Sequence, residues 1–427
     1  MGRRAWFVLA FALLLTCGPT AVPRSDSSRP SATTGPILAN DLITLREGGQ
    51  APALAVRKVE NGQLVRSVPD GILLPDGTSV LTLATAGADS TLIAKIDRRT
   101  GATLSSRSIA GAWQRGPFSS GTSPDGSRIV LFGSSYNFTD ASGAWTARTM
   151  FGVIAVATWH VDTVVLNGRY AFEAVSNDGR ALYVEESVPP QLPTSTRLRV
   201  YDVPSAQFSD VTGDALPSLD AYRTPATGLG AFSFRVFAAK DPVLVRFDLG
   251  SRDARTLTIP MDRTAQGEQV VEWSLVATRD GRTLYAINPA VGTVTEIDPV
   301  ALRVRRSASL NASRSDDAID ALVAAMHPVA AAKMGFGTGA VLSPDESTLY
   351  ALAETGVWSI ATGSLSSHML TKDGAYESIK PSPDGNRLYV LGRENGVISA
   401  LDARDGHVLG AMERIAFPSD IVAVDAG

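Results

Sequence analysis

The sequence predicts an all-β fold in which one four-stranded unit is repeated along nearly the whole chain. The clearest sign is a Ser-Pro-Asp-Gly turn followed by an apolar strand, seen as SPDGSRIVLFG at 123–133 and SPDGNRLYVLG at 382–392. Recurrence of one pattern along a chain is the signature of a repeat architecture. Looser copies lie at 74–84, 176–186, 278–288 and 343–353.

Each unit contains two hairpins. Asp-Gly after Pro favours a tight turn, because Gly accepts the positive φ that such turns need, and the flanking residues alternate apolar and polar as in strands. A second hairpin follows, in which an Asp and a turn separate two alternating segments, as at 92–109, 293–310 and 397–415. One unit is therefore strand A, the PDG turn, strand B, a loop, strand C, an Asp-containing turn and strand D.

Eight such units can be counted. The D strands are predicted to end near residues 67, 109, 166, 211, 259, 310, 370 and 415. The fifth unit lacks a PDG turn, and the first lacks an inner strand, which we expect the C-terminal segment Asp420–Asp425 to supply. Such closure pairs strand edges that an open ring would expose. Eight units are favoured. The alternative is seven units, with one of the counted units forming an irregular element instead of a blade.

The pattern SPDG-x-x-LYV … V-x-x-(I/L)D-x-x-x-G-x-V is similar to the YVTN-type and WD-like β-propeller repeats of bacterial extracytoplasmic proteins. The resemblance covers roughly residues 40–425. It implies a single β-propeller of four-stranded blades over residues 39–427. Because propellers carry many unrelated activities, it predicts the fold more firmly than the function.

Composition narrows the possible partners. Lys plus Arg is 39 and Asp plus Glu is 43, so the net charge is −4, which argues against nucleic acid as the main partner. The single cysteine, Cys17, excludes an intrachain disulfide.

The N-terminus has the features of an export signal. Arg3 and Arg4 precede the uncharged apolar run Ala5–Thr16, which is too short to span a bilayer but has the length of a signal-peptide core. The string Leu14–Gly18 resembles the bacterial lipobox, which implies a signal peptide over 1–17 and lipidation of Cys17. Plain secretion and a retained anchor are the alternatives, and the sequence does not separate the Sec from the twin-arginine route. Residues 18–38, rich in Ser, Pro and Thr, predict a flexible tether.

A helical insertion is predicted at 311–336, between strand D of unit six and strand A of unit seven. Apolar residues recur there at helical spacing, and Ser315 suits an N-cap. A helix in this connection would cover the channel mouth, either as an apolar plug, which we favour, or as a ligand-contacting lid. Met326 and His327 of this segment are candidate contact residues.

Two further top-face segments depart from the repeat. The long segment 134–150 of unit three contains Tyr136 and Trp145, which are candidate contacts in a binding rim or, alternatively, cover a blade edge. The connection from Gly213 to Ala231 is expected to be an irregular surface loop.

No catalytic, cofactor-binding or metal-ligating residue is predicted. The chain lacks H-E-x-x-H, C-x-x-C-H, P-loop and G-x-S-x-G motifs. We interpret the four scattered histidines as structural, and the PDG aspartates as turn residues, not catalytic carboxylates. The histidines are residues 160, 327, 368 and 407, and the PDG aspartates are residues 76, 125, 178, 280, 345 and 384.

These features favour a non-enzymatic, lipid-anchored propeller on the outer face of the cell membrane, or a secreted one, that binds a protein, peptide or glycan of the envelope. The alternative is an enzyme of the propeller lactonase, lyase or quinoprotein type with a site at the channel mouth. An enzyme should gather inner-strand carboxylates, Arg or His with perturbed pKa values around one pocket, whereas a binding module should present a broad mixed face.

Overall fold

The computed structural model contains β-strands joined by turns and loops, and its described residues include no helix. It describes residues 41–427 apart from 49–51, 88, 116–120, 134–135, 140–144, 191–192, 218–221, 239–240, 262–271, 311–338, 355, 373, 394, 413–414 and 416–417. The predicted signal peptide, Cys17, the tether and the helical insertion with Met326 and His327 therefore lie outside the described residues. None of the described segments is a helix that could cross a membrane.

The first half of the chain forms the outer strands of blade 1 and then blades 2 to 4. Blade 1 contains β1 (Asp41–Glu47), β2 (Ala53–Lys58) and β3 (Leu64–Pro69). Blade 2 contains β4 (Gly71–Leu73), β5 (Ser79–Gly87), β6 (Ser90–Asp97) and β7 (Thr103–Ala110). Blade 3 contains β8 (Trp113–Gln114), β9 (Arg128–Gly133), β10 (Tyr136–Thr139), β11 (Trp145–Ala155) and β12 (Val161–Asn167). Blade 4 contains β13 (Arg169–Val175), β14 (Ala181–Val188), β15 (Ser195–Asp202) and β16 (Gln207–Asp210).

The second half forms blades 5 to 8 and returns to blade 1. Blade 5 contains β17 (Thr212–Gly213), β18 (Tyr222–Arg223), β19 (Thr227–Leu229), β20 (Phe232–Ala238), β21 (Val243–Asp248) and β22 (Asp253–Thr258). Blade 6 contains β23 (Ser274–Ala277), β24 (Leu284–Asn288), β25 (Thr293–Asp298) and β26 (Arg303–Ser309). Blade 7 contains β27 (Ala340–Leu342), β28 (Thr348–Leu352), β29 (Val357–Ala361) and β30 (Ser367–Thr371). Blade 8 contains β31 (Tyr376–Pro381), β32 (Arg387–Gly392), β33 (Ile398–Asp402) and β34 (Val408–Ala411), and β35 (Pro418–Ala426) ends the chain in blade 1.

Eight sheets, each built on four main antiparallel strands, confirm the favoured blade count and exclude seven. The alternation of side chains along strand B explains how one blade joins its two neighbours. In blade 8, Leu388 and Val390 pack toward blade 7, whereas Tyr389 and Leu391 pack toward Ile43 of blade 1. Eight apolar clusters of this kind, one between each pair of adjacent blades, close the ring and make up its core.

The predicted closure by the C-terminal segment is confirmed. Strand β35 pairs antiparallel with β1, so it supplies the inner strand of blade 1. The closing strand is longer than Asp420–Asp425 and is held to blade 2 as well. The buried Arg98 donates to both carboxylate oxygens of Asp425 at 2.6 and 2.9 Å, and to Thr44 Oγ1 at 2.7 Å.

The expectation of an irregular loop from Gly213 to Ala231 is wrong in part. The chain first adds β17 in parallel to β22, at the outer edge of blade 5, and then forms β18 and β19 against β20. This pairing satisfies backbone groups that an irregular loop would have to leave to water. Blade 5 also replaces the PDG turn by a tight Gly230-Ala231 turn, in which Gly230 has φ +60°.

We call the end of the ring that carries the A–B and C–D turns the bottom face. The opposite end, which carries the B–C and D–A connections, is the top face. The inner A strands surround a central channel between the two.

Candidate functional site

The bottom face repeats one turn geometry in several blades. In blade 3, Asp125 Oδ1 accepts hydrogen bonds from Ser123 Oγ at 2.7 Å and from the Ser127 backbone N–H at 2.9 Å. The same serine-to-aspartate bond recurs at Ser176–Asp178, Ser343–Asp345 and Ser382–Asp384. The interpretation of these aspartates as turn residues is therefore confirmed.

Hydrogen bonding also keeps these carboxyls ionised. The hydroxyls of Ser343 and Ser347, together with the Ser347 backbone N–H, lower the pKa of Asp345 to about 2. In Asp125 burial acts in the opposite direction, but the serine and backbone donors still lower its pKa. A carboxyl held ionised in this way cannot act as a general acid at neutral pH.

The described histidines lie away from the channel. His160 and His407 are exposed next to C–D turns, and His368 is exposed on the outer strand β30. His407 lies beside Asp402 and Asp405, with one ligand-type atom of each within 4.8 Å of the others, a grouping that sequence reasoning missed. Asp402 occupies the same C–D turn position as Asp298 and Asp202, so this group is a local elaboration of the repeated turn.

On the top face, the backbones of Tyr136 and Trp145 lie on one hairpin. Strand β11 pairs with β9 over its C-terminal half and with β10 over its N-terminal half, so the hairpin extends the blade 3 sheet at the top face. Tyr136 pairs with Arg148, and Trp145 pairs with Thr139. The structure thus brings two of the four predicted contact residues onto one projecting element.

A row of alternating charges, which we call the charge ladder, begins on the inner strands β31 and β35 of blades 8 and 1 and continues toward blade 3. It consists of Lys380, Asp420, Arg46, Asp70 and Arg115. Arg46 is the cross-strand partner of Asp420. Arg46 Nε lies 3.0 Å from Asp70 Oδ1, and Arg115 Nη1 lies 3.3 Å from Asp70 Oδ2.

Exposure to solvent differs along the charge ladder, from the partly buried Lys380 and Asp420 at one end to the exposed Arg115 at the other. Burial raises the pKa of Asp420, although Lys380 and the Ser378 hydroxyl, 2.7 Å from Asp420 Oδ1, favour its charged form. Burial also disfavours the charged form of Lys380, and for an amine this lowers the pKa. At the other end the Arg115 side chain is 42% exposed. Sequence reasoning missed all five residues.

A second group of charges, which we call the buried ion cluster, lies between blades 4 and 5. Glu173 Oε1 lies 3.3 Å from Arg223 Nη2, and Glu173 Oε2 lies 3.3 Å from Arg235 Nε. Arg223 also pairs with Glu185. Arg235 is 5% exposed and donates to the Glu173 backbone carbonyl at 3.0 Å. Two cations and two carboxylates therefore balance inside the ring.

A cavity of about 200 Å³ adjoins this cluster near the A–B turns of blades 2 to 5. Its wall includes Pro75, Thr122, Phe172, Glu173 and Ser233. Among the described residues of that wall, Glu173 is the one ionisable residue, and both of its carboxylate oxygens face arginines. Both oxygens are within ion-pair distance of an arginine, although Oε2 makes no hydrogen bond among the described residues.

Together the ring of eight sheets and the closing strand define this chain as an eight-bladed β-propeller. Its backbone is similar to two structures of AztD from Citrobacter koseri. The apo structure matches with a TM-score of 0.50 and 12% identity over 90% of this chain and 96% of AztD. The second AztD structure matches with a TM-score of 0.50 and 11% identity over 91% and 98% of the two chains.

The periplasmic gluconolactonase PpgL of Pseudomonas aeruginosa matches less well, with a TM-score of 0.37 and 15% identity over 80% of this chain and 97% of PpgL. No protein-family model and no curated protein sequence matches the chain. At these identities the similarity establishes the propeller fold alone.

Proposed function

We propose that this protein is an exported, lipid-anchored β-propeller of the YVTN-like or WD-like repeat type that binds an envelope protein, peptide or glycan at its top face. The SPDG repeats support the repeat type. Arg3, Arg4 and the lipobox-like Cys17 support export and anchoring to the outer face of the membrane. The Ser- and Pro-rich tether of residues 18–38 then holds the propeller near that surface.

The difference between the two faces carries the binding proposal. The bottom face repeats nearly the same hydrogen-bonded turn from blade to blade. The top-face connections vary instead, from the single residue Asp70 between β3 and β4 to the long connection between β26 and β27, and they include the projecting β10–β11 hairpin. Recognition surfaces are found where loops on a rigid scaffold differ, so the top face is the expected contact surface.

An enzyme of the lactonase, lyase or quinoprotein type is the second candidate. The observation that favours it is the neighbouring pair Lys380 and Asp420, whose pKa values are displaced by burial. Such pairs cluster at catalytic sites, although structural ion pairs are displaced in the same way. Lactone hydrolysis by the wild type that disappears in Lys380→Met would favour this candidate.

Capture experiments test the binding proposal. The full chain carrying an affinity tag should retain an envelope component that is identified by mass spectrometry after native extraction. The double variant Tyr136→Ala and Trp145→Ala should lose that component, because both residues lie on the top-face hairpin. The bottom-face variant Arg282→Ala, whose side chain is 84% exposed, is the matched control and should retain it. Equal retention by both variants would contradict the assignment of the hairpin.

Anchoring is tested separately. Cys17→Ser should move the protein from the membrane fraction to the soluble fraction, because the thiol that would carry the lipid is absent. Intact-mass measurement of the wild type should show a mature chain that begins at Cys17. A mature N-terminus downstream of Cys17 would reject the lipid anchor and leave export in place.

A further inference from the structure

The charge ladder carries more positive than negative charge. Lys380, Arg46 and Arg115 contribute three cations, whereas Asp420 and Asp70 contribute two carboxylates. The buried ion cluster across the ring, by contrast, has two of each. Ion pairs that serve only the fold need no surplus charge, since an unbalanced cation adds a desolvation cost without a compensating attraction.

The surplus lies at the open end of the ladder. Asp70 is shared by two arginines, with Oδ1 facing Arg46 and Oδ2 facing Arg115, and Oδ1 also accepts the Gly71 backbone N–H at 2.8 Å. Arg115 is the more exposed of these two arginines, with 42% of its side chain accessible against 26% for Arg46. The site is therefore built around a half-neutralised cation that faces solvent at the top of the ring.

The geometry of Arg115 suits a planar or tetrahedral anion. Among the described residues, Arg115 Nη1 lies 3.3 Å from Asp70 Oδ2 and donates to the Gly71 carbonyl at 3.1 Å. A guanidinium has five donors in a fixed fork, and carboxylates and phosphates accept two of them in parallel. We expect an incoming carboxylate or phosphate to use the remaining donors of this fork, Nε and Nη2.

We propose that the charge ladder binds the carboxylate or phosphate group of a small anionic ligand at the top of the channel, with Arg115 as the contacting residue and Arg46 as its positively charged neighbour. Lys380, on the inner strand β31, lies at the opposite end of the ladder beside Asp420. The inference is independent of partner binding by the hairpin, because neither Tyr136 nor Trp145 belongs to the ladder.

Calorimetric titration of the full chain with inorganic phosphate and, separately, with succinate tests the proposal in low-chloride buffer at neutral pH. We expect saturable binding of at least one probe, and a loss of about tenfold or more in affinity in Arg115→Ala, because a charge-assisted bidentate contact is removed. Arg282→Ala, on the opposite face, should bind as the wild type does. The preferred probe distinguishes a phosphate ligand from a carboxylate ligand.

A gain-of-affinity variant separates ligand binding from a structural role. Asp70→Asn removes the carboxylate that competes for both arginines, so phosphate or succinate should bind more tightly than to the wild type, provided that the thermal unfolding midpoint is retained. Absence of saturable binding of either probe to the folded wild type, or equal affinity in wild type and Arg115→Ala, would overturn the proposal.

Discussion

The blade 8/1 and blade 4/5 interfaces lie across the ring from each other, and both place charges beside the inner strands. Between blades 4 and 5, Glu173 and Arg235 are almost fully buried and their charges are balanced. Between blades 8 and 1, Asp420 is only partly buried, and the ladder that contains it reaches an exposed arginine. The comparison separates a largely buried, charge-balanced cluster, which is typical of packing, from a partly exposed, unbalanced one, at which we propose that a ligand binds.

The largest expected effect comes from opening the ring at the blade 8/1 interface. Removing residues 418–427 deletes the fully buried Ile421 and leaves the buried Arg98 without Asp425. Loss of a buried aliphatic side chain costs about 1.5–3 kcal/mol, and an uncompensated buried charge costs about 3–5 kcal/mol. Thermal unfolding followed by circular dichroism should therefore show a much lower midpoint.

Asp425→Asn is the matched control for this truncation, because it weakens the ion pair and keeps the strand. Its midpoint should lie between those of the wild type and the truncated chain. A truncated chain that melts at the wild-type temperature would show that β35 does not stabilise the ring.

The next prediction compares how much stability is lost when one carboxylate is neutralised at each interface. Glu173→Gln leaves Arg235 buried without its anionic partner, so urea unfolding should show a loss of about 3–5 kcal/mol. Asp420→Asn should change the free energy of unfolding by about 1 kcal/mol or less, because burial already disfavours the charged form of Asp420. Equal losses in the two variants would remove the distinction between the interfaces.

A paired replacement sharpens this test. Glu173→Leu combined with Arg235→Met removes both members of the buried pair and leaves Arg223 paired with Glu185. Replacing a buried ion pair by apolar residues is often neutral or stabilising, so the double variant should be clearly more stable than Glu173→Gln alone. If it is less stable, the pair itself contributes net stability.

The smallest effect is a difference in pH dependence. Asp345 has a lowered pKa of about 2, so its contribution to stability is complete above the unfolded value near 4 and disappears as the pH falls toward 2. Asp420 has a raised pKa, so its carboxyl favours the folded state most at low pH, and this contribution declines as the pH rises through the folded pKa. Each aspartate can be tested by comparing the free energy of unfolding of the wild type with that of the Asp345→Asn or the Asp420→Asn variant. The two differences should therefore change with pH in opposite directions.

Urea unfolding at pH 3, 5 and 7 checks this expectation. The Asp345→Asn difference should grow from pH 3 to pH 7, whereas the Asp420→Asn difference should shrink. Slopes of the same sign would mean that Asp420 is held ionised in the folded protein as the turn aspartates are.

Comparing the repeats with one another shows which of the charged residues could have been recognised from the sequence. The copy SNDGRALYVEE at 176–186 places Glu185 where SPDGNRLYVLG at 382–392 has Leu391, so a departure at a buried strand position was present in the repeat itself. Arg46 and Arg235 were harder to place, because they lie in the first and fifth units, which lack the PDG turn that aligns the others. The irregular first unit thus contains Arg46 of the charge ladder, and the irregular fifth unit contains Arg235 of the buried ion cluster.

The sequence by itself determined the repeated four-stranded unit, its Asp-Gly turns and the closing segment, and it favoured eight units over seven, because two-residue periodicity and Asp-Gly turn chemistry act between near neighbours in the chain. Only the tertiary structure decided which charges meet. Arg235 reaches Glu173 across 62 positions, and Arg98 reaches Asp425 across 327. Such partners are chosen by the curvature of the ring and the packing of blade on blade, which no local pattern records.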